Sequence, residues 1–169
     1  MDEKVNPQVT LAGLAQAAQR MSQENKELIE KNKALALFRK IDDIILSKVT
    51  DLGLIAQQVA DTIVNELAFK AVAILLLDEK DNSLVRLAIS KTDPIMQTEA
   101  KFNKELFGEK ISLSQDANLI VKVVKTKRMQ ITHGLNNTLI PHFSDGESKT
   151  VAEIIGINAS FIYPLDARD

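Results

Sequence analysis

Residues 51–89 read DLGLIAQQVADTIVNELAFKAVAILLLDEKDNSLVRLAI, and two hydrophobic periods meet within them. Leu52, Ile55, Val59, Ile63 and Leu67 recur every three or four residues, with Ala56, Ala60 and Val64 beside them. That spacing lays one apolar stripe along a helix. Asp51 or Thr50 is placed to accept hydrogen bonds from the first free amides of that helix. Ala71–Leu77 is then apolar without a break. It is too short to span a membrane and is bounded by charge, so it predicts a strand buried on both faces. The turn Asp78-Glu79-Lys80-Asp81-Asn82-Ser83 follows, and Leu84–Ile89 alternates around Arg86 as a returning strand. A helix, a buried strand and a returning strand make a packed core and supply no catalytic group.

Composition bounds the rest. The chain has 169 residues, enough for one domain and an appendage. Twenty-one Lys and Arg face 23 Asp and Glu, a net charge of −2. That balance gives no electrostatic reason to bind nucleic acid or an anionic membrane. With no cysteine, disulfides, thiolate zinc sites and cysteine nucleophiles are excluded, and a reducing cytoplasm suits the chain. No apolar run reaches the length of a membrane span, so no membrane insertion is expected.

Toward the amino terminus a heptad emerges. Leu11, Ala18, Asn25 and Asn32 are seven apart, and Leu14, Met21, Leu28 and Leu35 repeat with the same spacing. These are the a and d positions of a coiled coil, and Asn at two a positions suits a parallel homodimer. Pro7 marks the start, because proline is excluded from a helix interior. The alternative is a single amphipathic helix lying on its own domain, which would bury two Asn in a monomeric core at a cost. Beyond Leu35 the register breaks and the apolar positions move to Phe38, Ile41, Ile45 and Val49. Residues 1–48 are thus expected to be a coiled-coil linker and residues 49–169 a globular domain.

Past Ile89 the segment Ser90–Glu109 is polar, with a short helix expected over Ala100–Phe107. Lys110–Ser114 predicts a short strand. Ser114 or Asp116 is the expected cap of a helix carrying Leu119, Ile120, Val123 and Val124. Lys122, Lys125, Lys127 and Arg128 gather near its end, where cations suit the helix dipole. Arg128–His133 alternates as a strand with Met129 and Ile131 on one face. After a loop, Ser144 and Glu147 have capping-box spacing. They open a helix with Val151, Ile154 and Ile155 inside and Gly156 as its left-handed end. Asn158–Tyr163 is a last strand, halted by Pro164.

The strand AVAILLLD with its acidic turn, the segment KTKRMQIT and the string SFIYPL together resemble a GAF domain, the small-molecule sensor module of bacterial signalling proteins and some phosphodiesterases. The resemblance runs from about Leu46 to Asp169. It implies an α+β fold, a long N-terminal helix followed by a GAF-like antiparallel sheet flanked by helices. It also implies a regulatory role in a signal-transduction protein, such as a histidine kinase of a two-component system or a diguanylate cyclase, rather than an enzyme. In that fold a further strand normally follows the Pro-Leu pair and lies beside the equivalent of Ala71–Leu77. The sequence ends at Asp169 without it. Three resolutions are open: Asn158–Tyr163 pairs with Ala71–Leu77, another chain donates a strand, or the parent protein continues into a signalling output. The last is the expectation.

A ligand site in such a domain would lie between the sheet and Ser90–Gly108, lined by Phe102, Phe107, Val124, His133, Phe143, Phe161 and Tyr163. A covalent bilin is excluded without Cys, and haem held through a histidine is the cofactor the resemblance allows. His133 and His142 are nine apart, with Asp145 and Glu147 as the nearest carboxylates, which is weak metal spacing. Asp42 and Asp43 fall on the linking helix as solvated charge. Two readings therefore stand: a sensor with an unknown small-molecule ligand, and a dimerisation or scaffold module with a filled core.

Overall fold

A computed structural model describes residues 7–46 and 51–165 of the chain. The fold is α+β: a long N-terminal helix, then antiparallel strands with flanking helices. Two compact units divide the chain, Met1–Asp43 and Ile44–Asp169.

The first unit is dominated by α1, which runs Pro7–Leu46. It begins at proline, whose missing N–H costs nothing in a first turn. Of the seam positions, Ala18, Met21, Asn25, Leu28, Asn32 and Leu35 are exposed. The side chains of Leu11 and Leu14 lie outside the described residues, as do Val49 and the alternative cap Thr50.

In the second unit, α2 spans Leu52–Leu67. The Asp51 carboxylate accepts hydrogen bonds from the amides of Gly53 at 2.8 Å and Leu54 at 3.3 Å. Its small residues Ala56 and Ala60 are buried, and the helix packs against β1 and β2. The strands β1 (Ala73–Asp78) and β2 (Ser83–Ile89) pair antiparallel, with a register shift between Ile74 and Leu75. Asp78 closes the turn between them by accepting from the amides of Lys80 and Asp81.

β1 corrects an expectation. The unbroken apolar run predicts a strand buried on both faces, yet β1 lies at the edge of a three-stranded sheet ordered β1-β2-β3, with Leu76 45% and Leu77 38% exposed. An unbroken apolar run reports the absence of charge, and the number of neighbouring strands is decided elsewhere in the chain.

The segment after β2 differs as well. The helix expected over Ala100–Phe107 sits earlier, as α3 (Asp93–Phe102). Pro94 is tolerated in the first turn, and Asn103 ends the helix by adopting a left-handed conformation, φ 49°. Only Ala100–Phe102 of the expected span are helical. β3 is two residues long, Ile111–Ser112, and pairs with β2. The next helix, α4 (Leu119–Thr126), is capped by Asn118 and not by Ser114 or Asp116.

Gln130–His133 forms β4 and Ala159–Ile162 forms β5, paired antiparallel as a separate two-stranded sheet, Ile131 opposite Phe161. Among the described residues the strands thus form two sheets and not the one sheet that the resemblance implies. β5 pairs with β4 and does not slide in beside β1. Between β4 and β5, α5 (Asp145–Ile155) carries the expected capping box of Ser144 and Glu147 and ends at Gly156, φ 77°. Its buried face is Ser148, Val151, Ala152 and Ile155, with Ile154 only half-buried.

Two clusters fill the unit. One gathers Ile95, Leu106, Leu135, Leu139, Phe143, Val151, Ala152 and Ile155, with Phe102 and Phe107 against it. The other gathers Leu84, Ile111, Ile120 and Val121, with Leu75, Phe107, Val124 and Ile162 against it.

Candidate functional site

The seven residues expected to line a ligand cavity separate into two groups. Phe102, Phe107, Val124 and Phe143 belong to the packed clusters. Phe143 is 1% exposed and meets Phe102 edge to face, centroids 5.7 Å apart at 77°. Phe107 touches both clusters and so joins them. His133, Phe161 and Tyr163 are exposed instead. Phe161 stands on β5 opposite Ile131, and Tyr163 follows that strand. Met129, Ile131, Phe161 and Tyr163, which alternate along this pair of strands, are all at least 43% exposed. Along the exposed α1, Gln19, Ser22, Gln23, Lys26, Glu27 and Glu30 border an open, shallow groove. That groove is a space between long solvated side chains and touches none of the seven residues.

Polar contacts add to the burial of Ile95 and Leu106 in holding the segment 93–108. The Arg86 guanidinium donates to Glu99 at 2.9 Å, to Glu105 at 2.6 Å and to the Leu106 carbonyl oxygen at 2.8 Å. Glu99 in turn accepts from the Leu106 amide at 2.8 Å. One arginine on β2 thus satisfies the end of α3 and the turn beyond it. Such a planar fork suits several acceptors at once. Lys104 bridges the same segment to α5, donating to the His142 carbonyl oxygen and to Glu147, each at 3.1 Å. Its ammonium also stands 5.2 Å from the Phe143 ring centre.

Glu147 is the most perturbed carboxylate here. The Ser144 amide, the Lys104 ammonium and the Ser144 hydroxyl hold its pKa down to about 2. Lys110, beside Asp81 and Asp78, is raised by their hydrogen bonds and charge. Nearby, the Nδ1 of His142 lies 2.7 Å from Glu109, and its Nε2 is buried without a hydrogen-bond partner. Among the described residues, no group of His, Asp and Glu is arranged to hold a metal ion.

Sequence reasoning missed the residue that organises this region most tightly. Asn118 is fully buried. Its Oδ1 accepts from the amides of Ile120 at 2.8 Å and Val121 at 3.3 Å, and its Nδ2 donates to the carbonyls of Ile140 at 2.6 Å and Thr138 at 3.3 Å. It caps α4 and fastens the 134–144 loop with one side chain. The signal was present: Asn directly precedes the apolar run LIVKVV. Among the described residues, no helix is long and apolar enough to cross a membrane. No family model matches the chain, and neither a curated protein nor a solved structure matches it.

Proposed function

We propose that this chain is a non-enzymatic regulatory module that acts as a parallel homodimer, with α1 as the dimerising element and the α+β unit as the scaffold. The observation that carries the reading is the exposure of the α1 seam: Met21 63%, Leu28 55% and Leu35 55%, on a helix of 40 residues. Such a helix is about 60 Å long and holds its stripe in water unless a second surface covers it. A second copy covers the d residues and lets Asn25 and Asn32 pair across the seam. The filled clusters around Phe143 favour the scaffold reading over the sensor reading. Light scattering at micromolar concentration is expected to give twice the 18.7 kDa of one chain. Leu28→Glu is expected to give a monomer whose α+β unit unfolds as before. A monomer in the unaltered protein refutes the proposal.

The GAF-type sensor reading rests on a different observation: Phe102 and Phe143 pack in one cluster, Val124 packs against the other, and Phe107 touches both. A small apolar ligand there has to displace packed rings. Native mass spectrometry of protein purified from cells tests this, and a mass equal to the bare polypeptide counts against it. The cytoplasm is the compartment proposed for either reading, in keeping with a cysteine-free chain.

A further inference from the structure

We infer that the interface with the second copy does not stop at Leu35 but turns about the helix axis there and runs on through Phe38 and Ile45. The inference rests on the parallel-dimer reading of α1 and extends it to a part of the helix that the heptad does not reach. With the heptad phase kept, the next a and d positions are Arg39 and Asp42. In a parallel seam each of them faces its own counterpart, so two successive layers would oppose like charges.

The structure divides this part of α1 into two faces. Ala34, Leu37, Ile41 and Ile44 follow one another at helical spacing and make one stripe. Leu37 is buried there, and Ala34, Ile41 and Ile44 are half-buried. Leu35, Phe38, Asp42 and Ile45 repeat the same spacing one residue later, and all four are exposed, Phe38 by 62% and Ile45 by 57%. Ile41 therefore belongs to the covered face, and Phe38 and Ile45 to the open one. At about 100° per residue, the midline of the open stripe stands about 50° round the helix from the a/d midline. Leu35 lies on both stripes and is the point where one passes into the other.

The occupant follows from continuity. Phe38 is the next exposed apolar residue past Leu35, about 4.5 Å along the axis. A parallel partner that covers Leu35 brings its own Phe38 to the same level, because two-fold symmetry sets each residue against its counterpart. Phe38 and Ile45 then leave water in matched pairs, and Arg39 stays in solvent. A change of phase within one heptad is a discontinuity that alters the local winding. Asp42 remains on the stripe, between Phe38 and Ile45, and faces its counterpart. The extension is thus held by two apolar layers and opposed by the acidic layer between them.

The chain has no cysteine, so single cysteines introduced into the full chain report on the seam without background. Leu35→Cys, Phe38→Cys, Arg39→Cys and Glu30→Cys are compared under mild oxidation. A disulfide needs Cα atoms about 4.4–6.8 Å apart, which favours positions in the core of a two-stranded seam. Leu35→Cys reports the dimer itself, and Glu30→Cys, on the outer side of the heptad, sets the collisional rate. Phe38→Cys is expected to cross-link more than about tenfold faster than Arg39→Cys. The reverse order overturns the turn of the seam. Collisional rates at both positions, with a fast Leu35→Cys, leave the dimer standing and overturn the extension. Collisional rates at Leu35, Phe38 and Arg39 alike overturn the dimer reading and this inference with it. A second measurement keeps Phe38 in place: Asp42→Leu is expected to lower the dimer dissociation constant by more than about tenfold in analytical ultracentrifugation. An unchanged constant overturns the extension.

Discussion

Replacing Asn118 probes the tightest junction in the α+β unit. The side chain is 0% exposed and spends all four of its hydrogen-bonding capacities on backbone. Asn118→Ala removes the cap of α4, worth about 1 kcal/mol. It also strips the Thr138 and Ile140 carbonyls of their donor, at about 1–3 kcal/mol each where water does not replace it. Some water will enter, so the expected loss is about 3–5 kcal/mol, a large share of a domain stability of about 5–15 kcal/mol. Asn118→Asp separates the two halves of the role. It keeps the acceptors for Ile120 and Val121, loses both donations, and sets a buried carboxylate against two carbonyl oxygens. At pH 7 it is expected to cost more than alanine, and protonation at low pH to narrow that difference. Urea unfolding followed by circular dichroism, with equal m-values as the check on two-state behaviour, measures both. A loss below about 1 kcal/mol for alanine, the value of an exposed cap, would refute the reasoning. An aspartate variant as stable as the parent would do the same.

Phe143→Ala is expected to cost about 3–5 kcal/mol, as for a buried aromatic, while Phe161→Ala, on a half-exposed strand face, is expected to stay within about 0.5 kcal/mol; equal losses in thermal unfolding would contradict the separation of the two rings. The capping box gives a pH dependence. Glu147 is depressed from 4.5 to about 2 in the folded chain, so its contribution is complete above pH 4.5 and is lost as pH falls toward 2. Relative to Glu147→Gln, the parent should lose stability across that window, and parallel acid-unfolding curves would show that the carboxylate is not held by Ser144 and Lys104.

The elements whose signals are local were legible in the sequence: the Asp51 cap, the 3.6-residue stripe of α2, the β1–β2 hairpin around its acidic turn, and the Ser144/Glu147 box closed by Gly156. Each is specified by residues within a few positions of one another, where side-chain chemistry and backbone geometry are coupled directly. Placement of α3 was missed because Pro94 reads as a breaker unless it falls in a first turn, and only the left-handed Asn103 shows where that helix stops. Asn118 was passed over because its two donations go to a loop about 20 residues downstream. The edge position of β1 is a property of pairing between distant segments. Its apolar run says what the strand can bury, while the count of neighbours belongs to the sheet. The same holds for the seven predicted lining residues: aromatic character says that a ring seeks cover, and tertiary packing alone put Phe143 inside and left Phe161 and Tyr163 in water.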